Sequence, residues 1–142
     1  MLASFYYFIG LFLLLLNIVV FFNLKKYFLL KEFFRKFKKV TNKDPEFEDF
    51  PVNIREVIKI ILLVEICNFF WSFIGIISSN WIIFLFYLIV IPILSFIINK
   101  SKNNLVTNFF ILTKVLVSIL IIGLLIFNHF HFKLNLTNLI LN

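Results

Sequence analysis

The sequence predicts an all-α, polytopic integral membrane protein with four transmembrane helices and an amphipathic cytoplasmic segment. First, 62% of the 142 residues are apolar and the mean hydropathy is +1.04, which is more apolar surface than a soluble chain of this length can bury. Second, the apolar residues occur in long runs with few charges. Third, the net charge is +7, and most cations lie between these runs. We predict a single membrane domain over residues 1–142.

The first predicted span covers residues 2–22. These 21 residues carry no charge, and as a helix they extend about 31 Å, which matches the hydrocarbon thickness of a bilayer. The first cations, Lys25 and Lys26, follow the apolar run instead of preceding it. This order favours a retained helix over a cleavable signal peptide.

Residues 24–40 alternate basic and apolar side chains at helical spacing, which predicts a basic amphipathic helix. Such a helix lies flat at the headgroups and attracts anionic lipid. The alternative is a cytoplasmic extension of the first helix whose lysine stems snorkel. The predicted lipid-facing basic face consists of Lys25, Lys31, Arg35, Lys36, Lys38 and Lys39.

The charge changes sign in the acidic stretch 44–51, which contains four acids and two prolines. Asp44 before Pro45 predicts the N-cap of a short acidic turn, with a solvated loop as the alternative. Asn53 with Glu56 three residues later approximates a capping box, so the next helix should begin at Ile54. Together, residues 23–56 form the predicted cytoplasmic loop.

The other predicted spans cover residues 57–78, 81–98 and 105–127. One helix over 57–98 would be about 60 Å long, twice what a bilayer needs, so two spans joined near 78–80 fit better. One span plus a re-entrant segment is the alternative. Pro92 removes a backbone donor and is expected to kink the third span.

Orientation follows from the distribution of cations. Ten Lys or Arg lie between Lys25 and Lys59, and Lys100 and Lys102 lie in the third loop. With four spans, both basic loops fall on one side. The positive-inside rule then places residues 23–56 and 99–104 in the cytoplasm or matrix and both termini outside, in a bacterial or organelle inner membrane.

A polar layer is predicted inside the membrane from Glu65, Lys114, Asn17 and Asn68. An ionisable group within a span is costly, and opposite charges at a similar depth are expected to pair. Glu65 and Lys114 each lie about nine residues past a predicted cytoplasmic start, so we predict that they pair. Lys59 is a competing partner for Glu65, and Lys114 could snorkel instead. An ion or proton site at Glu65 is the functional alternative.

The same predicted helix carries a seam of small and polar residues. After Glu65 and Asn68, Ser72, Gly75 and Ser79 recur at helical spacing, which predicts close helix packing. The first span repeats the pattern more weakly, with Gly10 and Asn17 seven residues apart.

No pattern predicts catalytic chemistry. His129 and His131 are separated by one residue, without a neighbouring carboxylate or cysteine, so no metal site is expected. The sequence contains no nucleophile elbow, glycine-rich phosphate loop, HExxH pair or CxxC pair, so neither an enzyme nor a cofactor is expected. The cations flank the spans, where topology explains them without nucleic acid.

Two functional hypotheses follow. The first is a non-enzymatic membrane subunit or interaction protein, an assembly or accessory component of a membrane complex, which binds other membrane subunits or its own copies. In size, basic charge and Phe- and Ile-rich composition, but in no motif, the chain resembles some membrane-embedded bacteriocin immunity proteins. The second is a small transporter or channel subunit that oligomerises around Glu65.

Overall fold

The computed structural model describes residues 2–141, so the predicted domain of residues 1–142 extends one residue beyond the described part at each end. The described residues are mostly helical (86%), with no strand among them. Four helices are long and apolar enough to cross a membrane, as the sequence predicted. The α-helices are α1 (Leu2–Phe22), α2 (Leu24–Thr41), α3 (Val52–Gly75), α4 (Trp81–Lys100), α5 (Asn104–Phe127) and α6 (Leu136–Leu141).

The four long helices α1, α3, α4 and α5 form a bundle. Helix α1 packs against α3 and α5, and α4 packs against the same two helices, so α3 and α5 lie diagonally opposite each other. Contacts between α1 and α3 join Tyr6 to Trp71 and Asn17 to Asn68, which shows that these neighbours are antiparallel. The short α3–α4 and α4–α5 connections give the same up-and-down arrangement.

Helix α3 begins and ends earlier than predicted. It starts at Val52, with Pro51 at the N-cap and no capping side chain, so the expected capping box of Asn53 and Glu56 is not formed. The Pro51 carbonyl accepts from the N–H groups of Ile54 (3.0 Å) and Arg55 (3.3 Å). Proline suits a helix start, because its ring fixes φ near the helical value and its missing N–H would have no helical partner there. The helix ends at Gly75.

The chain turns over residues 76–80 between α3 and α4. The Ser78 hydroxyl donates to the Gly75 carbonyl (2.6 Å) and accepts from the Asn80 N–H (3.2 Å). Residues 57–98 therefore form two helices in the structure. Helix α4 continues as a helix through Pro92.

The acidic stretch forms a 3₁₀ turn over Phe47–Asp49, later than the turn predicted from Asp44. Glu46 is the cap, and its N–H donates to the Asp49 carboxylate (2.8 Å). Arg55 of α3 donates to the Phe50 carbonyl (2.9 Å), so the turn is tied to the bundle.

Helix α2 lies against one end of the bundle, where it contacts α3 and α5. It begins after Asn23, which interrupts the helix that precedes it, and its apolar side chains Tyr27 and Leu30 are buried. It ends at Asn42, whose left-handed backbone (φ 57°) caps the helix with a bond to the Lys38 carbonyl. The amphipathic helix is thus part of the folded core, a role that neither sequence interpretation included.

The outward faces of the long helices are apolar. Large hydrophobic side chains are exposed along all four, including Phe12, Phe73, Phe86, Phe96 and Leu120. A continuous apolar surface of this kind is unfavourable in water, and together with the four candidate spans it suggests a membrane location.

Candidate functional site

The centre of the bundle contains an ion pair between diagonally opposite helices. Lys114 Nζ of α5 donates to Glu65 Oε1 of α3. Tyr27 of α2 completes a triangle, because its hydroxyl accepts from Lys114 Nζ (3.3 Å) and donates to Glu65 Oε1 (3.3 Å). The three polar groups therefore satisfy one another, and they join α2, α3 and α5.

The two charged partners differ in exposure. The Lys114 side chain is 9% exposed, whereas the Glu65 side chain is 41% exposed. The ammonium group thus depends on Glu65 for compensation, while the carboxylate keeps an open side. Lys59, the competing partner considered from the sequence, instead pairs with Glu56 on the protein surface (3.3 Å).

Two asparagines form the next polar contact. Asn17 of α1 and Asn68 of α3 exchange reciprocal amide hydrogen bonds, both 3.0 Å long, and both side chains are buried. Asn17 also donates to the Leu13 carbonyl one turn earlier (2.7 Å). The structure therefore arranges the four residues of the predicted polar layer as two separate pairs, with Asn17, Asn68 and Lys114 buried and Glu65 partly exposed.

Sequence reasoning missed three polar residues of this site. Besides Tyr27, the Tyr87 hydroxyl of α4 donates to Ser118 Oγ of α5 (3.0 Å), and Ser118 donates to the Lys114 carbonyl (3.0 Å). A tyrosine on the apolar face of a basic helix was a usable signal for Tyr27, because a buried hydroxyl needs a partner. No pattern in the sequence relates Tyr87 to Ser118.

A cavity of about 160 Å³ adjoins these groups. This is room for several water molecules or one small polar group. Its wall includes Glu65, Asn68, Tyr27, Tyr87, Lys114 and Ser118.

The cavity opens sideways between α3 and α4. The lining residues from α1, α2 and α5 are all buried, including Asn17, Tyr27 and Lys114. The lining residues with exposed surface come from α3 and α4, among them Phe69 and Pro92. We call this gap, defined by Glu65, Phe69, Leu88, Ile91, Pro92 and Ser95, the α3–α4 opening.

An aromatic cluster closes the bundle on the side away from α2. Trp71 stacks on Tyr6 (ring centroids 4.9 Å apart, planes 6° apart), and its indole N–H donates to the Tyr6 carbonyl (3.1 Å). Phe84 is fully buried against the edge of Trp71. The polar cavity therefore does not continue through this layer to the other end of the bundle.

Of the residues in the predicted packing seam of α3, Ser72 and Gly75 lie at the aromatic cluster and Ser79 lies in the α3–α4 turn. Ser72 is 1% exposed, and Gly75 lies so close to the Phe84 ring that a Cβ atom would be 2.5 Å from it. A Cβ atom added at Gly10 of α1 would likewise be 2.5 Å from the Trp71 ring. Ser79 does not belong to the seam, because α3 ends at Gly75 and Ser79 is exposed in the turn. The prediction for Ser79 was wrong because it assumed a longer helix.

The predicted basic face is split into two sets. Lys25, Lys36, Lys38 and Lys39 are exposed. Lys31 and Arg35 instead point toward the bundle, where Lys31 Nζ donates to Asn99 Oδ1 (3.2 Å) and Arg35 donates to Asn104 Oδ1. These two cations are therefore not free on the surface of α2, as the predicted basic face had them, but contact the ends of α4 and α5. Docking of α2 turns one side of its basic face toward α4 and α5.

The two histidines contact aromatic rings. His129 stacks on Tyr7 (ring centroids 4.2 Å apart), and His131 packs against Phe127 (4.7 Å). Among residues 2–141 no group of three or more potential metal ligands is present.

No protein-family model, curated protein or solved structure matches this chain. Its functional interpretation therefore rests on the geometry described above.

Proposed function

We propose that the chain is a polytopic membrane protein and a non-enzymatic interaction subunit. In this proposal the four long helices cross the bilayer, with α2 and the α4–α5 loop on the cytoplasmic or matrix side and both termini opposite. The α3–α4 opening receives a transmembrane helix of a partner membrane protein through a side chain that donates hydrogen bonds.

The observation that carries the proposal is a set of acceptors at a gap in an apolar surface. Glu65 is 41% exposed there and uses Oε1 for Lys114 and Tyr27. Pro92 has no N–H to donate to the Leu88 carbonyl, so the opening contains a second acceptor without its usual helical partner. Acceptors facing hydrocarbon are costly unless a donor reaches them. A polar side chain on a neighbouring helix supplies such a donor.

The closed side of the cavity supports binding over conduction. An open channel through one copy needs a continuous path across the bundle, whereas Trp71 and Phe84 fill the section beyond the cavity on the side away from α2. The ion pair is also neutral as a whole, which favours a structural role for Lys114.

A photoreactive phenylalanine analogue at Phe69 tests the binding site. In intact cells we expect it to crosslink to a discrete membrane protein, because Phe69 borders the opening. The matched control is the same analogue at Leu15 of α1, which is similarly exposed (53% against 50%) and lies two residues from Asn17 on a different face. Equal crosslinking at both positions, or capture of lipid alone at Phe69, would contradict the proposal. A crosslink to a second copy of the chain would replace the partner helix with a homo-oligomer.

Cysteine labelling tests the proposed topology. In a Cys67→Ser background, Val40→Cys and Ser101→Cys should react with a membrane-impermeant reagent only after permeabilisation, because both lie beside the basic loops. Ser79→Cys, in the α3–α4 turn, should react in intact cells. Val40 and Ser79 are exposed. The two serine-to-cysteine changes, Ser101→Cys and Ser79→Cys, are nearly isosteric. Opposite accessibility of Val40→Cys and Ser101→Cys would contradict the four-span arrangement.

The second candidate is a small transporter or channel subunit. The observation in its favour is that an ionisable carboxylate borders a cavity with room for several water molecules. Ion or proton flux in proteoliposomes that disappears in Glu65→Gln would favour this function over the interaction subunit.

A further inference from the structure

A second cavity lies outside the bundle centre, where α2 passes the junction of α4 and α5. Its volume is about 500 Å³, within the range of small-ligand sites. The four cations that line it are Lys31, Arg35, Lys38 and Lys39 of α2, and we call it the basic groove. The opposite wall consists of polar residues at the ends of α4 and α5, including Asn99 and Ser101.

The charge of the basic groove is not balanced by the protein. Asp44 is the one carboxylate in its lining, and it lies 3.6 Å from Lys38. Lys31 and Arg35 have neutral amide acceptors, Asn99 and Asn104. The groove thus has an excess of three positive charges. Burial, and secondarily the charge of Lys114, lower the pKa of the Lys31 ammonium, and the charge of Glu65 offsets this only in part.

Two apolar side chains also line the groove. They are Phe34 of α2 and Ile98 of α4, and Lys31 Nζ lies 5.9 Å from the centre of the Phe34 ring. An arginine fork with neighbouring lysines suits a phosphate group, and apolar side chains beside them suit hydrocarbon. A ligand that carries both parts matches the groove better than a free phosphate does.

We propose that the basic groove binds the phosphate of an anionic lipid headgroup, with the adjoining acyl chain over Phe34 and Ile98. This inference rests on the proposed membrane insertion, which puts α2 at headgroup level. The bound lipid bridges α2 to the α4–α5 junction and neutralises cations that the protein leaves uncompensated. The outer cations Lys25 and Lys26 lie outside this site and contact at most the general membrane surface.

The test measures lipid binding to the purified full-length protein in neutral detergent by native mass spectrometry. The probes are short-chain phosphatidylglycerol, short-chain phosphatidylcholine and glycerol 3-phosphate. We expect Lys31→Gln with Arg35→Gln to weaken phosphatidylglycerol binding by about 30-fold for the two lost charges. The control pair, Lys25→Gln with Lys26→Gln, removes the same charge outside the groove and should stay within about threefold, because solvated charges are screened.

A second pair of variants keeps the test independent of how α2 docks. Lys38→Gln with Lys39→Gln leaves the Asn99 and Asn104 contacts intact and should also weaken binding. Equal losses for the groove and control pairs, or equal binding of phosphatidylcholine, would overturn the proposal. Displacement of the lipid by millimolar glycerol 3-phosphate would assign the groove to a water-soluble phosphate ester instead. None of these results depends on crosslinking at Phe69, so the two proposals fail separately.

Discussion

Reversing the charge of Glu65 or Lys114 alone is expected to destabilise the bundle by roughly 3–5 kcal/mol, and reversing both should restore much of the loss. Glu65→Lys places two cations together while Lys114 remains buried, and Lys114→Glu places a carboxylate in that buried position. The double variant returns opposite charges to the same two helices. The measurement is the thermal midpoint of the detergent-solubilised protein, followed by size-exclusion chromatography after heating.

The exposed pair of Glu56 and Lys59 is the matched control for this exchange. It lies on α3, its nitrogen–oxygen distance is 3.3 Å, and both side chains are largely exposed (77% and 61%). Its reversal should change stability by less than about 1 kcal/mol. If the losses from Glu65→Lys and Lys114→Glu are simply additive in the double variant, the two groups do not interact as the structure indicates.

Neutral variants of Glu65 and Lys114 should lower the stability of the protein by different amounts. Glu65→Gln leaves the Lys114 ammonium, 9% exposed, without its counter-charge, whereas Lys114→Gln leaves a carboxylate that borders a cavity with polar wall groups and room for water. An uncompensated charge costs more where solvent and polar groups cannot reach it. Glu65→Gln should therefore lower the thermal midpoint more than Lys114→Gln. The reverse order would show that the cavity does not solvate Glu65.

Gly75→Ala is expected to destabilise the protein by about 1–3 kcal/mol, the cost of overpacking a filled core. The added Cβ atom would be 2.5 Å from the Phe84 ring, which is fully buried and packed against Trp71, so the ring has little room to move. In a Phe84→Leu background the same change should cost much less. The measurement is a double-mutant cycle on thermal midpoints, and a cycle with no coupling would contradict the close approach of α3 and α4.

Gly123→Ala of α5 provides the control. Its added Cβ atom would lie 3.8 Å from Leu14 Cδ1, an ordinary van der Waals distance. Alanine is also the better helix former by about 1 kcal/mol, so this variant should be neutral or slightly stabilising. A loss as large as that of Gly75→Ala would mean that glycine matters in these helices for a reason other than space.

The position of a residue along its helix is enough to predict the pairing of Glu65 with Lys114, but not the contact of Tyr27 with both. Glu65 and Lys114 have similar distances from the ends of their helices, and this arithmetic suggested their pairing before any packing was known. The third member, Tyr27, lies on a helix whose position is set by its docking between α3 and α5. Depth along a span does not place a residue that lies outside the spans.

The sequence by itself determined the helical class and the number of long apolar helices, because length, hydropathy and a low number of charges are properties of each segment alone. It also determined which polar residues must find partners within those segments. The tertiary structure decided which side of α2 faces the bundle. As a result, Lys31 and Arg35, which the sequence predicted on a free surface, lie in the basic groove. It also decided that Ser79 lies beyond the end of α3, and that the Glu65 carboxylate borders a sideways opening. These features depend on how separate helices approach one another, which spacing along one chain does not specify.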